Sequence, residues 1–145
     1  MNILIIDAQG GGVGRQLVLA IRERLPDADI TAVGTNAAAT SAMLKAGASR
    51  AATGENAVVV CSRKADVILG AIGIVIADAM LGEITPRMAA AVAQSGAKRI
   101  LLPVSHCDNI VPGVEGQTVA RLVEAAVQTL CKLNDGTCAE QNYRV

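Results

Sequence analysis

Four glycines within five positions are the feature of this sequence that most clearly indicates a binding function. They follow an apolar segment, precede a helical pattern and lie in the run Gln9, Gly10, Gly11, Gly12, Val13, Gly14. Glycine lets the backbone turn sharply and lets a phosphate approach without a Cβ in the way. The first turn of a helix adds free N–H groups and a dipole that favours an anion. We therefore predict that residues 9–14 bind the phosphate of a small molecule, in the first place a nucleotide.

The spacing agrees only in part with established phosphate-binding motifs. Gly10, Gly12 and Gly14 fall two positions apart, and Arg15 stands where G-x-G-x-x-G requires its third glycine. A P-loop would need a Ser or Thr in place of Gln16, which argues against magnesium-dependent triphosphate hydrolysis. Because one or two glycines suffice to tighten a turn, four glycines favour phosphate binding over a turn alone.

A dinucleotide site also requires an acidic residue about twenty positions further on, where it accepts hydrogen bonds from ribose hydroxyls. This chain has Gly34, Thr35 and Asn36 there. No carboxylate supports NAD at this place and no nearby arginine supports NADP, so NAD(P) is one candidate cofactor among other nucleotides. We predict that Thr35 and Asn36 contact a ribose or phosphate or, equally well, cap a helix.

Two further loops are predicted to join the glycine loop. Ligands of open parallel sheets bind beyond the carboxyl ends of the strands. The loop with Gly70 and Gly73 and the loop 104–109 should meet residues 8–14 at that edge. We therefore add Gly70 and Gly73 to the predicted binding residues.

The loop 104–109 contains the only histidine, His106, followed by Cys107 and Asp108. Adjacent side chains point in different directions, so this group does not predict a metal site, and we predict none elsewhere. Cys107 could serve as the nucleophile of a small transferase or hydrolase, although no second histidine is present to activate it. A polar pocket wall or an ordinary loop is the alternative.

Three other acidic positions have structural interpretations. Asp78 lies in an apolar stretch interpreted as a helix, and we expect it on the exposed face of that helix. Glu83 is interpreted as part of a turn that precedes the helix cap Thr85. Residues 54–56, which include Glu55, are predicted to form a compact polar loop that could reach a ligand or a neighbouring subunit.

Alternating strands and helices must position these residues. The predicted strands are 2–7, 29–34, 65–70 and 98–104, with a short strand at 50–53 and an edge strand at 109–114. The predicted helices are 13–25, 36–45, an apolar helix after Gly73, 86–95 and 117–133, while 55–64 fits a strand or a helix. This alternation predicts an α/β fold: a three-layer, doubly wound, mostly parallel, Rossmann-like sheet of five or six strands. Residues 1–133 are expected to form one domain, followed by a polar C-terminal tail, 134–145.

Composition argues against several classes of partner. Thirteen basic residues balance thirteen acidic ones without a basic stripe, so nucleic acid is not an expected partner. The longest apolar run, 67–77, is shorter than the roughly twenty residues of a membrane helix. The chain starts without a basic segment, and its four cysteines form no Cys-x-x-Cys pair. We therefore expect a cytoplasmic protein with reduced thiols.

Chain length and apolar content predict self-association. One cofactor-binding domain nearly uses up the 145 residues, so an NAD(P)-dependent oxidoreductase would have to complete its substrate site by oligomerisation. Residues 67–81 are more continuously apolar than a helix with one wet face requires. We predict a homodimer that binds a small phosphorylated ligand.

Four stretches of the chain, 7–14, 34–48, 52–57 and 73–86, together resemble a family of short bacterial proteins with no assigned function, domain-of-unknown-function family 3842. The resemblance covers nearly the whole chain except the polar tail. It implies a Rossmann-like fold, and it implies no activity, cofactor or catalytic residue. Ala71 follows Gly70 where relatives are expected to have a proline.

Overall fold

A five-stranded, fully parallel sheet forms the middle layer of residues 1–104 and 109–136, the parts of the chain that the computed structural model describes. Its strands are β1 (Asn2–Asp7), β2 (Asp29–Gly34), β3 (Arg50–Thr53), β4 (Val67–Ala71) and β5 (Lys98–Leu102). Their order, β3-β2-β1-β4-β5, is that of the Rossmann fold. The predicted α/β class and the predicted mostly parallel sheet of five or six strands are confirmed.

Helices cover both faces of this sheet. They are α1 (Gly12–Arg24), α2 (Ala37–Lys45), α3 (Glu55–Ser62), α4 (Pro86–Ala93) and α5 (Val119–Asn134). Helix α1 packs against α2 and α5, while α3 packs against α4, which gives the three layers. Within the described residues, none of these helices has both the length and the apolar composition needed to cross a membrane.

The core is built from aliphatic side chains. Ile3, Leu4, Ile5 and Ile6 of β1 are all buried because helices cover both faces of the central strand, which explains its continuous apolar run. On α1 the fully buried side chains include Leu17 and Ile21, one turn apart. A fully buried Leu or Ile contributes about 1.5–3 kcal/mol relative to an exposed one. These side chains fix β1 and α1, and with them the loop between the two elements.

The structure decides the open assignment of 55–64 and corrects two other predictions. Segment 55–64 contains the helix α3, which was one of the two alternatives, and Gly54 is the N-cap of this helix, so residues 54–56 begin a helix instead of forming a polar loop. The edge strand predicted at 109–114 is wrong: these residues form no strand. The backbone turns there, since Gly113 has a φ of 91° and its N–H donates to the Glu115 carboxylate. Strand β5 stops at Leu102, because Pro103 follows and cannot donate to a ladder.

The apolar helix predicted after Gly73 is also wrong. A short 3₁₀ turn (Ile72–Val75) is followed by a compact turn in which Asp78, Met80 and Leu81 have φ values of 63°, 56° and 59°. The N–H of Gly82 donates to the Asp78 carbonyl at 3.1 Å within this turn. Asp78 is exposed, as expected, but on a turn.

Burial within the same chain explains why residues 67–81 are so apolar. All of β4 is buried, and so are Ile74, Ala79 and Met80, while Leu81 is 97% exposed. The composition of this segment therefore does not by itself require a partner subunit. Leu81 is the part of the segment that remains as an apolar surface.

Candidate functional site

Three connections meet beyond the carboxyl ends of β1, β2 and β4. The Asn36 amide, just after β2, donates hydrogen bonds to the Gln9 carbonyl, after β1, and to Glu83 Oε2, after β4, each at 2.9 Å. The backbone N–H of Thr35 donates to the Asp7 carbonyl at 3.0 Å. The structure thus brings together three predicted binding residues, Gln9, Thr35 and Asn36.

Two glycines of the loop are required by packing. Gly11 has a φ of 72°, and a Cβ there would lie 2.7 Å from the Ala39 Cα. A Cβ on Gly14 would lie 2.5 Å from Met43 Sδ and 2.8 Å from the Asp7 Cβ. These two glycines allow α1 to pack closely on β1 and α2, so the fold alone accounts for them.

The fold does not account for Gly10 and Gly12. Neither has a positive φ, and a Cβ on either would meet no atom within 4 Å. Their N–H groups donate no hydrogen bond to the residues that the structure describes. The two glycines that packing does not need therefore carry N–H groups without a partner in residues 1–104 and 109–136, one at the start of helix α1 and one just before it.

Val13 completes the loop and is half-buried at the second position of α1, where it packs against the core. Burial raises the pKa of the nearby Asp7 carboxyl, and the Val13 N–H is a minor opposing influence on it. The Val13 side chain therefore has a packing role, and its predicted contact with a ligand stays a prediction.

Asp7 occupies the inner side of the glycine loop. Its Oδ2 accepts a hydrogen bond from the Gly14 N–H at 2.6 Å, and its Oδ1 accepts one from the Ala8 N–H at 2.9 Å. Burial raises the pKa of the Asp7 carboxyl, against the opposing effect of the Gly14 and Ala8 N–H groups. The chain itself thus satisfies these inner donors of the helix start, whereas the N–H groups of Gly10 and Gly12 have no partner among the described residues.

Glu83 supplies a carboxylate beside the end of β2. Its Oε2 accepts hydrogen bonds from the Thr35 hydroxyl at 2.5 Å, the Gln9 N–H at 2.9 Å and the Asn36 amide at 2.9 Å. The Thr35 hydroxyl, followed by the Gln9 N–H, lowers the pKa of the Glu83 carboxyl. The carboxylate missing from the sequence after β2 is therefore present in space, and it comes from Glu83, which lies in the predicted turn before the cap Thr85.

Thr35 and Asn36 have different structural roles. Asn36 is the N-cap of α2, since its Oδ1 accepts from the Ala39 N–H at 2.9 Å. Thr35 does not cap the helix, and its hydroxyl donates to Glu83. The capping alternative thus holds for Asn36, and a ligand contact of either residue stays a prediction.

The other predicted residues lie deeper or outside the described chain. A Cβ on Gly70, within β4, would lie 2.6 Å from the Ile6 carbonyl oxygen, so packing of β4 against β1 accounts for this glycine. Gly73 is buried in the 3₁₀ turn. His106, Cys107 and Asp108 lie outside the described residues, as does the polar tail beyond Gly136.

A second carboxylate fixes the connection that carries Glu83. Glu55, at the start of α3, accepts a hydrogen bond from the Thr85 hydroxyl at 2.6 Å, and it lies 3.3 Å from the Arg87 guanidinium. Thr85 also caps α4, where its hydroxyl accepts from the Met88 N–H. Glu83 is therefore held on a segment that is anchored two residues later.

Within residues 1–104 and 109–136, no three His, Cys, Asp or Glu side chains form a group that could hold a metal.

Comparisons with known proteins give a structural neighbour and a family. The chain is similar to the crystal structure of a dodecameric FMN-dependent UbiX-like decarboxylase from Escherichia coli O157:H7. The two share 17% sequence identity and a TM-score of 0.47, over 99% of this chain and 97% of that chain. No curated protein matches the sequence. The family described as a domain of unknown function, DUF3842, matches residues 2–135, and the chain therefore belongs to this family.

Proposed function

We propose that this protein binds a nucleotide or dinucleotide whose phosphate is held by the glycine loop 10–14. The proposal rests on the observation that packing requires only two of the four glycines in this loop. Packing requires Gly11 and Gly14, whereas Gly10 and Gly12 lie next to open space with N–H groups that donate to no described residue. A residue with a side chain could replace either of these two glycines without harming the fold, and an approaching phosphate gives a reason for their type.

Around the loop, the dipole of α1 and Arg15 favour an anion on the outer side, while the carboxylates of Asp7 and Glu83 oppose it. Asp7 is buried on the inner side, where two N–H groups compensate its carboxylate. The dipole of α1 adds a partial positive charge of about half a unit at its N-terminus. Arg15, exposed in the first turn of the same helix, provides a full positive charge nearby. We therefore assign the phosphate to Gly10 and Gly12, with Arg15 as an assisting cation.

The remaining binding residues follow from the convergence of the loops. Gln9, Thr35 and Asn36 surround the Glu83 carboxylate directly beside Gly10. The sugar of a nucleotide that places its phosphate on Gly10 lies within reach of this group, because adjacent residues are about 3.8 Å apart. Recognition of a sugar next to a phosphate is what distinguishes a nucleotide site from a site for phosphate alone.

We also propose that the protein forms a homodimer through the turn that carries Leu81. This large apolar side chain is 97% exposed, and its backbone adopts a left-handed conformation. Such a conformation costs a residue with a Cβ about 1–2 kcal/mol. Burial of Leu81 against a second copy of the chain would explain why a large apolar side chain is present at this exposed, left-handed position.

The test of ligand binding is a thermal-shift panel with NAD, NADP, ATP, GTP, coenzyme A and sugar phosphates. A ligand at about one hundred times its dissociation constant stabilises a protein by about 2.7 kcal/mol, which gives a clear rise in melting temperature. We expect Gly12→Val to remove the shift, because its side chain would occupy the phosphate position. Gly96→Val is the matched control, since Gly96 lies before β5, at the end of the sheet opposite the glycine loop, and a Cβ there would likewise meet no atom within 4 Å. A normal shift with Gly12→Val, or no shift with any ligand, contradicts the proposal.

A further inference from the structure

We propose that Glu83 binds the vicinal hydroxyls of the ligand's ribose and thereby selects nucleotides with a free 2′-hydroxyl. This inference rests on the proposed function and identifies the class of ligand. In dinucleotide sites, an acidic residue at the end of the second strand binds the ribose. Here we assign that role to Glu83, which lies in the connection between β4 and α4.

The hydrogen bonds of Glu83 leave half of its carboxylate available. Oε2 accepts from the Thr35 hydroxyl, the Gln9 N–H and the Asn36 amide. Oε1 accepts from none of the described residues, and the side chain is only half-buried. A carboxylate that is oriented through one oxygen presents the other as an acceptor in a fixed position. A ribose diol is a matching partner, because each of its hydroxyls can donate.

The location of this carboxylate fits a ribose. In a sheet of this strand order, the phosphate lies at the start of the first helix and the ribose lies against an acid after the second strand. Glu83 contacts Thr35 and Asn36, which directly follow β2, and it contacts Gln9, which directly precedes Gly10. The acceptor for the sugar and the donors for the phosphate are thus adjacent at one edge of the sheet.

The segment that carries Glu83 is anchored to the rest of the fold. The side chain is therefore a fixed part of the site, and a ligand does not displace it. Ile84, the next residue, is fully buried, and its carbonyl accepts from the Asp78 N–H at 2.8 Å. Thr85 is then tied to Glu55. Withdrawal of Glu83 would have to break these contacts as well as its own three hydrogen bonds. A ligand therefore meets the carboxylate in place, and a 2′-phosphate meets a like charge.

The experiment is calorimetric titration of the full chain with two ligand pairs: 5′-ADP against 2′-deoxy-5′-ADP, and NAD against NADP. We expect the unmodified protein to prefer 5′-ADP and NAD, each by about tenfold or more, as for the loss of a hydrogen bond to a charged group. Glu83→Gln should bring both ratios close to one. Glu83→Asp, which retains the charge but retracts it by one methylene, should lose the preference for 5′-ADP and keep that for NAD. Glu124→Gln, an exposed glutamate of α5, is the control and should leave both ratios unchanged.

Each other outcome has a distinct meaning. Equal affinities within both pairs for the unmodified protein would overturn the ribose inference, while binding that Gly12→Val abolishes would keep the proposed function. Tighter binding of all four ligands by Glu83→Gln would show that the carboxylate competes with an anion, and it would also overturn the inference. Absence of binding for these four ligands overturns the inference, and the proposed function falls with it only if the whole thermal-shift panel is negative.

Discussion

The backbone N–H of Gln9 donates a hydrogen bond to Glu83 Oε2 at 2.9 Å, although 74 positions separate the two residues in the chain. The same oxygen also accepts from Thr35 and Asn36. A single carboxylate thus joins the connections that follow β1, β2 and β4. These loops are coupled through it, so a change at Glu83 should affect both stability and ligand binding.

The Glu83 hydrogen bonds predict an acid-dependent contribution to stability. The pKa of Glu83 is lowered in the folded protein, chiefly by the Thr35 hydroxyl. The stabilisation is therefore fully present above the ordinary glutamate value of 4.5 and is lost as the pH falls through the lowered pKa. We expect the unmodified protein to be more stable than Glu83→Gln at neutral pH, with a gap that closes on acidification. Urea unfolding from neutral pH down to about pH 3 measures this gap, and a gap independent of pH would contradict the prediction.

Asp7 should show the opposite pH dependence. Burial raises the pKa of its carboxyl above the ordinary value of 3.8. Between that value and the raised pKa, the folded state binds more protons than the unfolded state, so stability falls as the pH rises. We expect the stability of the unmodified protein, relative to Asp7→Asn, to decrease over this interval and then to become constant. The same urea series tests this, and a relative stability that increases with pH there would refute it.

Gly14 and Gly10 should respond differently to alanine. A Cβ on Gly14 collides with Met43 and Asp7, so Gly14→Ala should destabilise the fold by about 1–3 kcal/mol, as overpacking does. A Cβ on Gly10 meets nothing within 4 Å, so Gly10→Ala should change stability by less than about 0.5 kcal/mol. Urea unfolding compares the two variants. Equal losses would show that packing does not distinguish these glycines.

We predict that Arg22 is the main polar link between the end of α1 and the segments that precede β2 and β3, at the amino ends of these strands. Its guanidinium donates to three backbone carbonyls and to the Ser49 hydroxyl, over distances of 2.7–2.8 Å; the carbonyls are those of Pro26, Ala28 and Gly47. Lysine cannot reproduce this fork, so Arg22→Lys should cost about 2 kcal/mol. Arg24→Lys, an exposed position of the same helix, is the control and should cost less than about 0.5 kcal/mol. Chemical denaturation of both variants gives the comparison.

Leu81 should govern self-association. We expect a dimer at micromolar concentration, and Leu81→Asp should shift it to the monomer because a charge would replace the buried apolar contact. Leu44→Asp is the control, since Leu44 of α2 is 49% exposed and lies outside the turn. Light scattering measures the mass of each variant. A monomeric unmodified protein at this concentration would rule out the dimer, and equal effects of both substitutions would remove the role of Leu81.

Much of the fold could be predicted because its signals are local. The continuous apolar run 3–6 is typical of a strand covered on both faces, and the spacing of Leu17 and Ile21 is that of one helix face. Asn36 and Thr85 precede helices and do cap them. Each of these features depends on neighbours within a few positions, so alternation of such segments sufficed to predict a Rossmann-like sheet.

The segment after β4 could not be predicted in this way. A buried helix and a buried turn present the same run of apolar residues, and hydrophobic periodicity cannot separate them over so short a stretch. Packing of Ile74, Met80 and Ile84 into the core selects the turn. This turn places Glu83 next to Gln9. The two residues are 74 positions apart, so the local sequence around either one gives no sign of the contact.

The sequence by itself determined that a glycine loop joins β1 to α1, because a strand, a glycine run and a helical pattern follow one another along the chain. Only the tertiary structure decided which glycines the fold needs. That depends on what a Cβ would meet: α2 and Asp7 at Gly11 and Gly14, and open space at Gly10 and Gly12. The tertiary structure likewise supplied the carboxylate missing after β2, because the contacts that bring Glu83 there connect parts of the chain that are remote in sequence.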